Sequence, residues 1–463
     1  MNPTLLYMLA VVNMISLVHL GLFIVGANVY DIKKFRENRR PKQPSTYQPL
    51  VSVVVPAHNE SLVIRRTLDS ILASTYQNIE VIVVDDGSTD ATSQIVHDYI
   101  AHLPQARVGS TMHRKANIQR RLGRDLRLEV NRGAVQRRFD RQQVQIRTVR
   151  IAQKNGGKAA ALNNAIANTV KGDLTMCLDA DSVLHRESIK RAVRYFRDPK
   201  IMGVAANVRL IDTGTILSKV QRFEHLVGYR SKKFYSMTNT EFIIGGVAST
   251  YRTDLIKEVG LYDSDTMTED IGLSMKLIAS LGNKQQRVIY ASDVVAMTEG
   301  VHSFKGLLQQ RYRWKIGCLQ NLFKYRSMIG RGETGKHSWL LTKYRLPMAL
   351  IGELQLLLGP LLLTYIVYLS FYYQTFGILL GAYMTITLYV MWTLWPDEHL
   401  TIKEKWRMSL SAFAMYGLFY IMDFVQIAAI YRSIRNYRKI IRSDEATTWV
   451  SPTRAGHALT FSR

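Results

Sequence analysis

The sequence predicts an α/β domain fused to transmembrane helices, with an amphipathic helix at their junction. Three observations lead there. Between about Leu50 and Gly300, short β-branched runs alternate with helical patterns; both ends of the chain carry long uncharged apolar stretches; and His302–Ser327 sets an apolar stripe against a polar face. Strand–helix alternation gives a mainly parallel sheet with helices on both faces. With 463 residues and 47% apolar content, the chain is no disordered polymer. Lys plus Arg number 61 against 36 Asp plus Glu, a formal charge of +25. Cys177 and Cys318 lie far apart with no CxxC, which excludes a disulfide framework and a cysteine zinc site.

The elements follow in order. Leu5–Val29 holds no Asp, Glu, Lys or Arg, and about 20 apolar residues span a bilayer. Residues 1–30 are therefore a membrane helix, too long and too weakly basic at its start for a signal peptide. Lys33, Lys34, Arg36, Arg39 and Arg40 come next, so the positive-inside rule puts the N-terminus outside and the next domain in the cytoplasm. Residues 31–49, with Pro41, Pro44 and Pro49, form a linker. In the domain at 50–300, Leu50–Pro56 reads as a buried strand and Glu60–Ala73 as a helix capped by Asn59. Ile79–Val84 is a second strand ending at Asp85-Asp86. Val144–Ile151 is a third, and Asp173–Leu178 a fourth ending at Asp179-Ala180-Asp181. Ligands of such sheets bind at the carboxyl ends of strands, so both acidic clusters are expected in one crevice.

A C-terminal bundle at 345–431 contains three candidate spans, Pro347–Phe371, Phe376–Trp395 and Met408–Tyr431. Three crossings leave the basic tail at 432–463 (Arg432, Arg435, Arg438, Lys439, Arg442) outside, against the charge rule. Either the tail is an exception or one segment is re-entrant or interfacial. Glu353 and Pro360 make the first of the three the suspect.

The candidate chemistry sits at loops. Carboxylates leaving a buried strand are costly unless compensated, and a divalent cation bridging a diphosphate compensates the pair Asp179 and Asp181; loop or cap aspartates are the bland alternative. Asp85 and Asp86 suit a uracil imide or a ribose hydroxyl, or equally a cap for the helix beginning near Asp90. Asn155-Gly156-Gly157-Lys158 precedes the Ala-rich helix Lys158–Asn168 but lacks the spacing and the Ser/Thr of a P-loop. Lys158 could meet a nucleotide at that helix start or be solvated. Glu269 and Asp270 open the helix Glu269–Leu281, where the helix dipole alone favours acids; a catalytic base is the sharper reading. Gln310, Arg313 and Trp314 share one helical face at 301–330, suited to a diphosphate and a sugar ring. Leu308, Tyr312, Ile316, Leu319 and Phe323 lie opposite, a stripe expected in the membrane interface.

In this order and spacing, VVVPAHNE at 53–60, VVDDGS at 83–88, NGGKA at 155–159, LDADS at 178–182, TED at 268–270 and QRYRW at 310–314 resemble the membrane-bound processive family 2 glycosyltransferases. These include the cellulose, chitin, hyaluronan and poly-N-acetylglucosamine synthases. The resemblance runs from about Leu50 to Lys315. It implies an inverting enzyme of the GT-A (Rossmann-like) fold in the plasma membrane, multi-pass, with a cytoplasmic catalytic domain, a UDP-sugar donor, Mg²⁺ or Mn²⁺, and a pore exporting the growing polysaccharide. By motif, Asp85, Asp86, Lys158 and Asp179 would hold the nucleotide sugar, and Asp179 and Asp181 the metal. Asp270 would be the base, with Glu269 beside it. Gln310 and Arg313 would steady the leaving diphosphate, and Trp314, Gly245 and Gly246 would line the acceptor. The TEDI form at 268–271 points to the poly-β-1,6-N-acetylglucosamine synthases or their chitin-oligosaccharide relatives, hence UDP-N-acetylglucosamine. Lys315-Ile316-Gly317 departs from the small residues that often follow RW. Glu353 and Asp423, costly in lipid, are expected to face the bundle interior, one or both of them lining a sugar channel. A small membrane partner subunit is compatible with all of this.

Residues 101–150 form a basic insertion with 13 Lys/Arg against 3 Asp/Glu. With Phe139 its sole aromatic, it offers no platform for nucleic acid, so none is expected as a partner. Anionic membrane lipid is the more plausible contact, a solvated helical insertion the plainest one. The competing functions are a non-processive transferase acting on a lipid acceptor and an inactive membrane scaffold or basic lipid- and RNA-binding protein.

Overall fold

The structure is a computed structural model and describes residues 3–39, 46–102, 147–397, 400–438 and 456. Most of the basic insertion, part of the linker and the tail beyond Arg438 lie outside the described residues. In chain order the elements are α1 (Pro3–Arg39), β1 (Val51–Ala57), α2 (Ile64–Leu72), β2 (Ile79–Asp86), α3 (Thr92–Ala101), β3 (Arg147–Gln153), α4 (Lys158–Asn168), β4 (Leu174–Cys177), β5 (Val183–Leu184), α5 (Ser188–Tyr195), β6 (Ile201–Leu210), α6 (Ile216–Met237), β7 (Ser249–Arg252), α7 (Thr253–Glu258), α8 (Glu269–Leu281), β8 (Arg287–Thr298) and α9 (Phe304–Lys324). A π-helical turn, Leu340–Arg345, then leads into α10 (Leu346–Tyr372), α11 (Phe376–Leu394) and α12 (Ile402–Arg435).

The eight strands run β3-β2-β1-β4-β7-β6-β8-β5. The first four are parallel, as their β-branched runs predict. The other half corrects the mainly parallel expectation: β7 is antiparallel to both β4 and β6, and β5 to β8. The reversal has a local consequence. Cys177 pairs with Ser249, so the chain leaving β4 towards Asp179 runs beside the chain entering β7 from Gly245-Gly246.

Every residue of β1 is buried, and its valines divide between two cores. Val51, Val53 and Val55 join the core containing Ile64, Leu68 and Ile189, whereas Val54 joins the one containing Leu162, Ile166 and Leu277. Alternation across a strand thus places helices on both faces. α1 docks on α6 through Asp31, which accepts from Arg230 Nη1 (2.7 Å) and Lys233 Nζ (2.6 Å).

Two expectations need correction. Asn59 does not cap α2, which begins at Ile64; with φ of 57° it turns its Oδ1 to the backbone N–H of Thr89 (2.8 Å), tying the β1 and β2 loops together. The apolar stripe of α9 is not open to lipid throughout: Ile316 is fully buried, and Leu308 packs on the core that Leu307 forms with Val220, Phe223 and Met415. Among the described residues, one helix, Leu340–Tyr372, is long and apolar enough to cross a membrane. It is the segment the sequence made suspect, and Pro360 lies inside its helix without ending it. Leu379–Leu394 is shorter, and Ile402–Met415 and Tyr420–Arg435 meet at 64°, a broken span or a re-entrant loop.

Candidate active site

A small crevice opens over the carboxyl ends of β1, β2 and β4, lined by His58, Glu60, Asp86, Lys158, Asp179 and Asp181 among others. The strand order reverses here between β1 and β4, the place where open α/β sheets bind ligands. The acidic clusters meet as the sequence requires, but their carboxylates have different tasks. Asp86 grips the glycine loop: its Oδ1 accepts from Gly156 N (2.9 Å) and Gln153 Nε2 (2.7 Å), and its Oδ2 from Gly157 N (2.9 Å). Asp85 accepts from Ser88 N (3.0 Å) and faces Arg150 Nη2 at 3.8 Å. Neither caps α3.

Asp86 and the positive φ of Gly157 (85°) set the start of α4 and hence Lys158. The Lys158 Nζ reaches Asp179 Oδ1 at 2.6 Å and Glu269 Oε1 at 3.2 Å. Burial works against its charge, but the carboxylates of Asp179, Glu269 and Asp270 more than offset it and hold the ammonium well above its ordinary value. Asp270 is pushed up to about 6, by burial first and then by Glu269, with Lys158 opposing. Its Oδ1 accepts from Ile271 N at 2.8 Å, so the first turn of α8 fixes the carboxylate.

Gly246 closes this cluster. A Cβ there would lie 2.7 Å from Lys158 Nζ, 3.4 Å from Asp270 Oδ2 and 3.8 Å from Asp179 Oδ1, whereas one on Gly245 would meet nothing. Of the two, only a side chain at Gly246 would displace the Lys158 ammonium. Gly246→Ala is expected to lower turnover about tenfold or more by moving the ammonium, and Gly245→Ala to change it little; initial rates of the two variants check this.

α9 is brought to the start of α8 by contacts not singled out in the sequence. Gly317 meets Thr268 so closely that a Cβ would lie 2.5 Å from Thr268 Oγ1 and 2.9 Å from its backbone N. Asn321 Nδ2 donates to Thr268 O (3.1 Å), and Gln320 Oε1 accepts from Met267 N (2.9 Å). Gln310, Arg313 and Trp314 continue that face, with Trp314 one turn before Gly317. All three are partly exposed, while the Arg311 guanidinium lies 4.1 Å from the Trp314 ring and donates to Glu224 (2.5 Å). Small and amide residues at i+3, i+6 and i+7 from Trp314 were the available signal.

The residues fit a divalent cation. Asp179 Oδ1 is buried without a well-aligned hydrogen bond, matched by the charge of Lys158. Asp181 is buried, and its Oδ1 accepts from Ser182 Oγ (2.8 Å) and Thr298 Oγ1 (3.3 Å). Among the described residues no three His, Cys, Asp or Glu side chains gather as a metal cluster. One or two carboxylates suffice, however, where phosphate oxygens and water complete the shell.

The chain is similar to known proteins in this same region. A family model described as glycosyl transferase family 2 matches residues 52–116, and one described as glycosyltransferase like family 2 matches residues 128–317. A poly-β-1,6-N-acetyl-D-glucosamine synthase of Staphylococcus epidermidis is 29% identical over 303 residues, covering 64% of this chain and 61% of the relative. The synthase of the same name from Staphylococcus aureus is 27% identical over 272 residues, covering 58% and 54%. The chain thus spans somewhat under two thirds of these relatives' lengths. Among solved structures, a mannosyltransferase from Pyrobaculum calidifontis in complex with GDP-Man and Mn²⁺ is 18% identical with a TM-score of 0.49, covering 92% of this chain and 99% of that one. The α/β domain is GT-A-like, with a mixed sheet. Two models of a single family bracket the crevice from β1 through Asp270 to Trp314, and the chain belongs to the family 2 glycosyltransferases.

Proposed function

We propose that the chain polymerises N-acetylglucosamine from UDP-N-acetylglucosamine, with inversion, processively, and passes the polysaccharide across the membrane. The observation that carries this reading is the half-buried group Lys158, Asp179, Glu269 and Asp270 closed by Gly246. The names of the similar synthases support the sugar. Single displacement needs a base on the acceptor side and positive charge on the leaving side. Asp270 takes the proton from the acceptor hydroxyl as that oxygen attacks the anomeric carbon. The bond to the UDP oxygen breaks, and Lys158 and Arg313 meet the diphosphate charge. Asp179 and Asp181 would hold Mg²⁺ or Mn²⁺, which supplies further neutralisation of the diphosphate when bound. Gly246 leaves room for the acceptor, and Trp314 provides an apolar ring face for it. Incubation with labelled UDP-N-acetylglucosamine, UDP-glucose and UDP-glucuronate, with and without chelator, tests the donor. Metal-dependent consumption of the first alone supports the reading; preference for another donor overturns it.

Contacts at both ends of α12 support one membrane arrangement. Near its start, Arg407 Nη2 and Arg222 Nη1 meet Asp212, and Arg222 Nη2 meets Glu404. At its end, Asn436 Nδ2 donates to Tyr312 OH (3.2 Å), and the Arg432 guanidinium lies 4.3 Å from the Tyr312 ring. Both ends are held by the catalytic side of the molecule, which supports a re-entrant α12 over a crossing one. With α1, α10 and α11 crossing, Arg432 and Arg435 then lie with the cytoplasmic charge, in keeping with the positive-inside rule. An Arg438→Cys variant in sealed vesicles is expected to react with an impermeant maleimide only where the catalytic domain is accessible. Labelling from the opposite side contradicts re-entry.

A further inference from the structure

The Asp179–Asp181 turn is held from two directions by residues outside the site. On one side α2 presents consecutive side chains: Thr67 Oγ1 donates to Ala180 O (2.6 Å), and Arg66 Nη2 to Asp181 O (3.3 Å). On the other side Thr298 donates to Asp181 Oδ1. The next residue, Glu299, receives the same Arg66 Nη2 at 2.8 Å, and the side chains of Arg66 and Glu299 are 10% and 0% exposed. Past Glu299 the chain turns directly into α9. His302 Nε2 lies 3.5 Å from Glu299 Oε2, and Ser303 caps the helix through Gly306 N. Val301 between them is locked by buried Gln221, which accepts from Val301 N (3.1 Å) and donates to Val301 O (3.0 Å).

We propose that Arg66 and Glu299 are positioning residues that hold the donor turn at Asp179–Asp181 and the start of the Gln310/Arg313/Trp314 helix in one fixed relation. The inference rests on the reading of Asp181 as a donor-site ligand. A buried ion pair is a poor way to add stability, since an apolar pair of similar volume commonly serves as well. This pair also sits where two halves of a reaction centre meet. Arg66 bridges the backbone of the metal-side turn to a carboxylate, and that carboxylate is three residues from the histidine preceding α9. Neither side chain reaches into the reacting cluster, so both act through the turn and the helix. Outer partners of metal ligands typically change affinity or activity 10–100-fold when removed.

The test compares wild type, Glu299→Gln, Arg66→Lys and the apolar double variant Arg66→Met/Glu299→Leu. It measures thermal unfolding, Mn²⁺ binding by electron paramagnetic resonance, UDP binding by calorimetry, and kcat and KM. The double variant is expected to unfold near the wild-type temperature yet bind Mn²⁺ about tenfold more weakly and turn over about 100-fold more slowly. Arg66→Lys, which keeps a donor and the charge, is expected to recover part of both. Glu299→Gln should fall between them. If the double variant folds and binds Mn²⁺ and UDP as wild type does, with unchanged kcat, the pair is only structural and the proposal fails. If the double variant does not fold, unchanged metal binding and kcat in both single variants overturn it equally. Wild type that binds UDP but no Mn²⁺ would instead bring down the metal reading beneath it, a separate result.

Discussion

Asp270→Asn is expected to reduce sugar transfer by about 10²–10⁴-fold, the usual contribution of a positioned general base, while UDP binding stays close to wild type. The amide keeps the shape and the backbone hydrogen bond from Ile271 but has no basic oxygen. The pH profile sharpens the expectation. Burial and the neighbouring Glu269 push Asp270 up to about 6, and the base must be ionised to accept a proton. Turnover should therefore rise with pH through about 6 with a slope of one proton and level off above it. Asp270→Asn should lose that limb as well as the rate, which a general loss of folding would not do. An unchanged acid limb in the variant would assign the titration to another group.

Gly317→Ala is expected to be severely damaging to turnover. Alanine is the better helix former by about 1 kcal/mol, so an isolated α9 would gain. The added Cβ, however, would lie within 2.9 Å of Thr268 Oγ1, Cγ2 and backbone N, and overpacking of this kind costs about 1–3 kcal/mol. The helix must retreat, loosening the Asn321 bonds to Thr268 O and Oγ1. Because Thr268 immediately precedes Glu269 and Asp270, a shift of about 1 Å moves Arg313 and Trp314 away from the base and costs about 100-fold in kcat. Thr268→Ala on the same background removes two of the three contacts and should restore activity in part. Wild-type rates for Gly317→Ala would show that α9 need not touch α8 this closely.

The parallel half of the sheet and the helices carrying Lys158 and Asp270 were legible because local chemistry settles them. Short Val/Ile-rich runs bounded by turn residues read as buried strands, and α4 and α8 start and stop where the sequence reading puts them, at Lys158–Asn168 and Glu269–Leu281. The antiparallel half was not legible, since strand direction in a sheet is set by crossover geometry and by partners distant in sequence. The same reason hid the work of Asn59, Gln153, Asn321 and Arg66, ordinary polar residues until the fold brings Thr89, Asp86, Thr268 and Asp181 beside them. The course of α12 was undecidable from hydropathy alone; the ion pairs and the Tyr312 contact at its ends become visible only in the fold. Lys315 pairs with Glu353 Oε1 at 2.7 Å, so the residue that departs from the family pattern has a partner in α10, an acid the sequence could only place inside a bundle.

The central claim is that the half-buried Lys158–Asp270 cluster extends one chain repeatedly. It is tested most directly by product length at low conversion. Purified protein in lipid would receive limiting acceptor and labelled UDP-N-acetylglucosamine with Mg²⁺, and products would be sized while only a small fraction of donor is consumed. Long chains beside untouched acceptor, absent in Asp270→Asn, are the predicted result. A ladder in which every acceptor gains one sugar before any gains two, or a single addition to lipid, would contradict it.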